Sequence, residues 1–441
     1  MTAGSPARSI AAFSLPLLLG NVFQQLYNMV DSMVVGKFVG SAALAAVGTG
    51  FPLIFLLTSV FLGFGMGATV LIAQFVGAGE RDQVARTVDT VYTALLAICV
   101  PLTLIGVLGA GPLLRLIRVE DAYFNQARLY VTVVFAGILG NLGYNLNAGV
   151  MQGLGDSRTP LLLLCIASVI NIVLDLVFVL VFHWQVFGVA IATVIAQFCS
   201  WIFGKFYINR KYGFLHLKFF QFKLDRRLLN QVVRLGVPAA VQQCQFSIGI
   251  LFFQALVNGY GEEFTAGFGA ANKIDTFAFM PIESFGVAAT TYVGQNMGAG
   301  DLDRVSRGVR ASVAMSLGVC VVMSLSVMLL RVPLLTLFTD DPAVIAAGEA
   351  YLLRVVGPMP VLAVTFTLNA VLRGAGDMLS STVANVVGLW IARIPVAFLI
   401  AAFFPKEEIY WSYLIGWVIG GLVTVPAYCS GRWKSKCLVR G

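Results

Sequence analysis

Four carboxylates lie within long apolar stretches of this chain, and they are the residues best suited to chemistry. They are Asp31, Asp175, Asp275 and Glu283. At the centre of a membrane helix, an acid costs roughly 2.5–3.5 kcal/mol on the insertion scale, so it must be neutralised, paired or hydrated. Such acids are candidates for binding a proton or a small cation that prefers oxygen ligands.

Polar residues accompany these acids at helical spacing. Asn171 and Asp175 are four residues apart, as are Thr193 and Gln197 in the next apolar stretch. Residues at this spacing share one face of a helix. We predict an ion-coupling cluster for H+ or Na+ formed by Asp31, Asn171, Asp175 and Thr193. The alternative is a structural hydrogen-bond network around an irregular helix.

A stripe of amides precedes Asp31 in the first apolar stretch. Asn21, Gln24 and Asn28 follow the spacing of one helix face, and that face cannot contact lipid. It lines either a wet cavity or a polar seam between helices. We predict a substrate cavity lined by Gln24, Asn28, Gln197, Asp275 and Glu283. For the last two acids, a structural salt-bridge network with Lys273, Arg354 and Arg393 is an equal alternative.

The composition requires a membrane around the elements that position these residues. Of 441 residues, 59% are hydrophobic and 11% charged, and the mean hydropathy is +0.87. Long apolar runs without alternation predict helices that cross the bilayer. We predict an all-α membrane protein with twelve transmembrane helices near residues 10–35, 46–75, 87–111, 124–150, 159–182, 187–208, 230–257, 265–295, 308–330, 343–372, 380–404 and 409–430.

The chain divides into two halves joined by a basic segment. We predict an N-terminal lobe (1–208), a basic cytoplasmic linker (209–229), a C-terminal lobe (230–430) and a cytoplasmic tail (431–441). Lys and Arg concentrate on the loops that share a side with both termini, which places both termini in the cytoplasm. This bias accounts for the net charge of +8 without a nucleic-acid partner.

An internal repeat relates the two halves. The segments AQFVGAGERDQVAR (73–86) and GQNMGAGDLDRVSR (294–307) match at seven positions with a constant offset of 221. Six helices per half give parallel repeats, which in transporters enclose a substrate site near the membrane midplane. The second half is apolar where it aligns with Asp31, Asp175 and Thr193. This asymmetry favours a functional site in the first half over a role in holding the fold.

Several motifs resemble the MATE family of multidrug and toxic-compound extrusion transporters. They are FSLPLLLGNVFQQLYNMVDSMVVGKFVG, the paired GAG loops, MQGLGDSRTP, and NIVLD followed by GVAIAT. The resemblance covers essentially the whole chain and implies an antiporter that exports lipophilic or cationic drug-like compounds in exchange for H+ or Na+. It is closest to the prokaryotic DinF-like branch, where the ion site matches Asp31, Asn171, Asp175 and Thr193. The helix-7 acid of other branches is absent from residues 230–257.

Two other functions remain as alternatives. A flippase for lipid-linked precursors would need a basic cavity, and few basic residues are available within the membrane. A membrane enzyme is disfavoured because we find no metal-ligand cluster, nucleophile motif or paired intramembrane histidines, and the seven cysteines form no Cys-x-x-Cys. We therefore expect a multi-pass transporter of the prokaryotic cytoplasmic membrane, in contact with lipid, monomeric and without a cofactor.

Overall fold

A computed structural model describes residues 1–217 and 222–439 of the chain. The α-helices, α1 to α15 in chain order, are Pro6–Val34, Ser41–Ala78, Arg81–Leu116, Asp121–Ala136, Ile138–Gly153, Arg158–Leu176, Gln185–Lys211, Arg226–Asn258, Glu262–Ala299, Leu302–Thr336, Pro342–Val355, Met359–Ala375, Met378–Val386, Ile394–Phe403 and Trp411–Cys429. Short π-helical segments continue three of them: Val35–Val39, Val177–Val181 and Val387–Arg393. Two 3-10 helices are Lys406–Tyr410 and Arg432–Ser435.

The helices are long and apolar enough for a multi-pass membrane protein. Within the described ranges, nine segments could cross a membrane, and the bent pairs α4–α5 and α11–α12 raise the number to eleven. The remaining predicted span, 265–295, lies within α9, which has 38 residues. Its hydropathy is lowered by polar residues such as Lys273, Asp275 and Glu283. The predicted all-helical architecture is confirmed.

Glycines end the second helix of each repeat. Gly79 follows α2 and Gly300 follows α9, with φ angles of 77° and 75°. Glycine adopts this left-handed conformation without the penalty that a Cβ brings, so it terminates helices efficiently. The next helix of the second repeat is capped by Asp301, whose side chain accepts from the backbone N–H of Arg304 at 2.8 Å. The GAG loops therefore act as helix boundaries.

The contacts divide the chain into two compact units. The N-unit is Leu19–Ala240, and the C-unit is Met1–Leu18 together with Val241–Gly441. Consequently α1 begins in the C-unit and ends in the N-unit, whereas α8 begins in the N-unit and ends in the C-unit. The lobes (1–208 and 230–430) and the linker (209–229) that the sequence indicates stay predictions. Residues 218–221 of that linker and 440–441 of the tail lie outside the described residues.

Close helix packing inside the N-unit depends on Gly63 and Gly67 of α2. A Cβ on Gly63 would lie 2.2 Å from the backbone nitrogen of Ala240, and one on Gly67 would lie 2.7 Å from that of Gly236. Neither distance leaves room for a side chain. Small residues let helix backbones approach closely in membranes, so α2 packs directly on the first turns of α8.

Candidate functional site

The acids of α1 and α6 each lie just before an irregular turn. Asp31 precedes the π-helical segment Val35–Val39, and Asp175 precedes the π-helical segment Val177–Val181. A π-helical turn interrupts the regular hydrogen-bond ladder of an α-helix and is frequent at functional sites. The two acids therefore occupy similar positions in their helices, although the sequence around them differs.

Asp31 and Asp175 approach each other inside the N-unit. Their carboxyl groups lie within hydrogen-bonding distance, and no Lys or Arg of the described ranges contributes to their electrostatic surroundings. Asp175 is fully buried, and Asp31 is partly exposed. The Oδ1 atom of each has no hydrogen-bond partner among residues 1–217 and 222–439. Two carboxylates in contact repel each other, so a proton or cation between them is strongly favoured.

Asn171 connects this acid pair to three helices. Its amide oxygen accepts from the backbone N–H of Thr193 at 3.1 Å, and its amide nitrogen donates to the Tyr27 hydroxyl at 2.8 Å and to Asp175 Oδ2 at 3.0 Å. We assign this amide orientation because it alone pairs every donor with an acceptor. The structure thus brings the four residues predicted for ion coupling together, on α1, α6 and α7.

The amides predicted to line a substrate cavity form a polar face along α1. Gln24 donates to Asn28 at 3.3 Å, and Asn28 donates to Gln25 at 3.3 Å. Asn28 is exposed, whereas Gln24 is half-buried. On α7, Gln197 is half-buried, and its Oε1 lacks a hydrogen-bond partner within the described part of the chain. Their role in a substrate cavity stays a prediction.

Asp275 in the C-unit has a different environment. The Tyr351 hydroxyl donates to its Oδ2 at 2.9 Å, and the Arg393 guanidinium lies close enough to interact electrostatically. That guanidinium carbon is 3.3 Å from the ring centre of Tyr413, and such stacking holds an arginine in place. The charge of Asp275 is therefore balanced by a cation that belongs to the protein.

Glu283, the second acid of α9, also lies near an arginine. It interacts electrostatically with Arg373, which lies in the last turn of α12 and is 7% exposed. The Arg373 guanidinium also lies 5.4 Å from the ring centre of Phe366. Sequence reasoning did not connect these two charges, because nothing in their spacing indicates that α9 and α12 are neighbours.

The other basic residues of the salt-bridge alternative lie elsewhere. Arg354 forms an ion pair with Glu408 at 2.5 Å. Lys273 is exposed, with its ammonium 5.5 Å from the ring centre of Phe338. The network considered for Asp275 therefore includes Arg393, while Arg354 is paired with Glu408.

The sequence analysis did not predict that tyrosines lie beside the acids. Tyr27 bonds to the Asn171 amide, and the buried Tyr130 lies within electrostatic range of Asp31 and Asp175. Tyr130 and Tyr351 are related by the repeat offset of 221. Their recurrence was the available signal, because each tyrosine lies beside the acid of its own unit.

The N-unit cluster offers oxygen ligands rather than a dedicated metal cage. Among residues 1–217 and 222–439, no group of three or more His, Cys, Asp or Glu residues is placed to hold a metal. A hard cation such as Na+ would therefore use the two carboxylates together with neutral oxygens. The amide of Asn171 and the hydroxyl of Thr193 are neutral groups of this kind. The Asn171 amide lies beside Asp175, and the Thr193 hydroxyl lies beside Asn171.

Comparisons with known proteins agree over nearly the full chain. A family model described as MatE matches twice, at residues 16–177 and 238–399. The probable multidrug resistance protein YpnP of Bacillus subtilis is 28% identical, over 99% of this chain and 98% of its own. The probable multidrug resistance protein NorM of Thermotoga maritima is 27% identical, over 98% of this chain and 94% of its own.

Solved structures give the same fold. A multidrug resistance MATE family transporter of the MOP superfamily, in an outward-facing conformation, superposes with a TM-score of 0.87 and 22% identity, over 99% of this chain and 98% of its own. The two ranges of the family match reproduce the internal repeat found in the sequence. These comparisons do not favour the flippase alternative.

Proposed function

The chain belongs to the MatE family, whose members are transporters and not enzymes, and we propose that it is a secondary active multidrug efflux antiporter. It exports lipophilic or cationic drug-like compounds in exchange for H+ or Na+. The names of its relatives, which include YpnP and NorM, support the substrate class. Coupling to an ion is supported by the acid pair of the N-unit.

The contact between Asp31 and Asp175 is the observation that carries this proposal. Since no basic residue of the described chain compensates the pair, its charge must be balanced from solution. A single proton shared between the carboxyl groups achieves this directly. A Na+ ion would need the carboxylates to separate and share it with neutral oxygens. The short approach of the two acids therefore favours H+ as the coupling ion, with Na+ as the alternative.

The cluster is built to convert ion binding into helix movement. Asp31 lies on α1, Asp175 and Asn171 lie on α6, and Thr193 lies on α7, so a change in charge alters hydrogen bonds among three helices. In our proposal, drug binds while the acid pair holds charge, and ion entry from outside neutralises the pair. α1, which contains Pro16, then rearranges, and drug leaves. Ion and drug thus favour different conformations of one transporter.

The proposed orientation follows from the distribution of charge. Lys and Arg concentrate beside the termini, so we propose that both termini lie in the cytoplasm and that the outer loops face away from it. We further propose a monomer in the prokaryotic cytoplasmic membrane, because the two repeats of one chain supply what a dimer of half-length chains would supply.

The test is efflux of a fluorescent lipophilic cation from proteoliposomes that contain the full chain. A pH gradient and a Na+ gradient are imposed separately on wild type, on Asp31→Asn, and on the control Asp340→Asn, which changes an exposed acid outside the spans. We expect one gradient to drive efflux in wild type and control. In Asp31→Asn, the rate of gradient-driven efflux should fall at least about tenfold, which is equivalent to about 1.4 kcal/mol of coupling free energy.

Two results would contradict the proposal. Undiminished gradient-driven efflux by Asp31→Asn would show that the acid pair does not couple the ion. Absence of efflux from wild type under either gradient would argue against drug antiport itself.

A further inference from the structure

A cavity lies at the end of the hairpin that α3 and α4 form in the N-unit. Its volume is about 380 Å³, and its lining residues are Gly111, Pro112, Arg115, Phe124 and Arg128. This volume falls within the range of about 300–1,000 Å³ that is usual for small-ligand sites. Its α3 residues belong to the last turns of that helix, which ends at Leu116. The end of a membrane-crossing helix lies near a membrane surface, so the cavity does too. None of its residues takes part in the proposed antiport.

Both arginines of this cavity are exposed, and each contacts the opposite helix. The Arg115 guanidinium of α3 lies 5.6 Å from the ring centre of Phe124 on α4. Arg128 of α4 lies against the bare backbone of α3, where a Cβ on Gly111 would be 3.6 Å from its Nε atom. These contacts orient the guanidinium groups but use few of their five N–H donors each. Two cations with free donors thus line one cavity.

No acid of the described ranges forms an ion pair with either arginine. The three ion pairs found within residues 1–217 and 222–439 involve other residues. Glu120 and Asp121 begin α4 on the same loop, yet neither lies within ion-pair distance of Arg115 or Arg128. Neither guanidinium of the cavity is therefore paired directly with a carboxylate of the described residues.

The second repeat closes the same corner with an internal ion pair. At the offset of 221, Pro112 aligns with Pro333, and Arg128 aligns with Glu349. Glu349 accepts from Nε of Arg331 at 2.5 Å. In the C-unit, Glu349 of α11 is therefore paired with Arg331 of α10, and these two helices are the repeat equivalents of α4 and α3. Where the C-unit has Glu349, the N-unit has a second arginine, so this corner can accept an anion from outside the chain.

Lipid-facing side chains border the cavity on α3. Leu108 and Leu116 are 74% and 78% exposed, which in a membrane protein places them against acyl chains. A guanidinium binds phosphate through paired hydrogen bonds, and basic residues near the membrane surface attract anionic headgroups. From this combination of cavity, arginines and lipid-facing surface, we propose that the α3–α4 corner binds the phosphate of an anionic phospholipid headgroup.

Native mass spectrometry of the purified full chain in detergent tests this proposal. The probes are phosphatidylglycerol, phosphatidylcholine of the same acyl chains, and inorganic phosphate. The test variant is Arg115→Gln with Arg128→Gln. The matched control is Arg118→Gln, which removes one exposed charge from the same loop but does not line the cavity. Thermal unfolding in lipid-free detergent verifies that each variant is folded.

We expect wild type and the control to retain phosphatidylglycerol over phosphatidylcholine, and the double variant to lose that preference at least tenfold. Arg128→Lys keeps the charge without the paired donors and should lose part of the preference. Equal retention of both lipids by wild type would overturn the proposal, as would an unchanged preference in the folded double variant. Binding of inorganic phosphate without preference for phosphatidylglycerol would also overturn it, since the ligand would then be free phosphate.

Discussion

The two units balance their intramembrane acids in opposite ways. In the N-unit, Asp31 and Asp175 contact each other, and no basic residue of the described ranges balances them. In the C-unit, Asp275 lies near Arg393, and Glu283 lies near Arg373. The C-unit acids thus have counter-charges that belong to the protein, and we propose that the N-unit pair takes its counter-charge from solution.

In our proposal, this difference separates ion coupling from structural support. A carboxylate whose counter-ion is covalently part of the protein gains little from an external proton or cation. A pair of acids without such a partner changes charge whenever the ion binds or leaves. We infer that the repeat provided two similar frameworks, of which one was adapted for ion exchange and the other for stability.

The largest expected difference is in transport, between Asp175→Asn and Asp275→Asn. Asp175→Asn removes one carboxylate of the N-unit pair, so we expect gradient-driven efflux to fall to the rate measured without a gradient. Asp275→Asn leaves that pair intact and should keep the ratio of driven to undriven efflux, even if the absolute rate falls. The measurement is this ratio in proteoliposomes, with protein incorporation determined for each variant.

A loss of the ratio in Asp275→Asn would remove the distinction between the units. It would indicate a second coupling site in the C-unit, with Arg393 too distant to act as a permanent counter-charge.

Much of the fold could be predicted from the sequence because lipid imposes simple constraints. Uninterrupted apolar runs must be helical in a bilayer, and the recurrence of Gly79 at Gly300 marks both the repeat and the helix ends. The exchange of α1 and α8 between units could not be predicted. Hydropathy describes a helix as apolar along its length, but it does not say which neighbours each half contacts.

The next largest effect is expected on stability, from Arg393→Gln. Removing the guanidinium takes a nearby positive charge away from Asp275, and leaving a charged group without such compensation costs about 3 kcal/mol. The double variant with Asp275→Asn should recover much of the loss, since no uncompensated charge then remains. Thermal or denaturant unfolding in detergent measures both. If Arg393→Gln alone left the free energy of unfolding unchanged, the arginine would not be compensating the acid.

A smaller effect is expected from the tyrosines that the repeat relates. Tyr351→Phe removes a hydroxyl that donates to Asp275 at 2.9 Å, and a hydrogen bond to a charged group contributes about 1.5–3 kcal/mol. Tyr130→Phe removes a hydroxyl that lies near the N-unit acids, and we expect a loss below about 1 kcal/mol. The measurement is the free energy of unfolding of each variant. A greater loss in Tyr130→Phe would show that this hydroxyl bonds directly to the acid pair.

The candidate site was only partly predictable for a physical reason. Asn171 and Asp175 share a helix face, so their spacing revealed them. The contact between Asp31 and Asp175 joins helices that are far apart in the chain, and no periodicity encodes such a contact. Arg373 was missed for the same reason, because the approach of α12 to Glu283 on α9 depends on packing across the C-unit.

The smallest expected effect concerns the loops that begin the fifth membrane span of each repeat, at Asp156 and its repeat equivalent Asp377. Asp156 accepts from the Thr159 backbone at 3.1 Å and from the Lys211 ammonium at 2.6 Å. Asp377 accepts from the Ser380 hydroxyl at 2.8 Å. Asp156→Asn removes the charge that pairs with the partly exposed Lys211 and should cost about 0.2–1 kcal/mol of stability, and Asp377→Asn less.

The pH dependence of stability tests the contribution of Asp156 further. Burial by itself would raise the pKa of Asp156, but hydrogen bonds from Lys211 and Thr159 outweigh burial and lower its pKa below the ordinary value. A lowered pKa in the folded state gives stability that is fully present above about pH 4, the unfolded value, and is lost as the pH falls through the folded value. Wild type and Asp156→Asn should therefore converge in unfolding temperature on acidification below about pH 4. A constant gap between them down to the lowest pH tolerated would show that the charge of Asp156 contributes nothing, and that its cap acts through geometry alone.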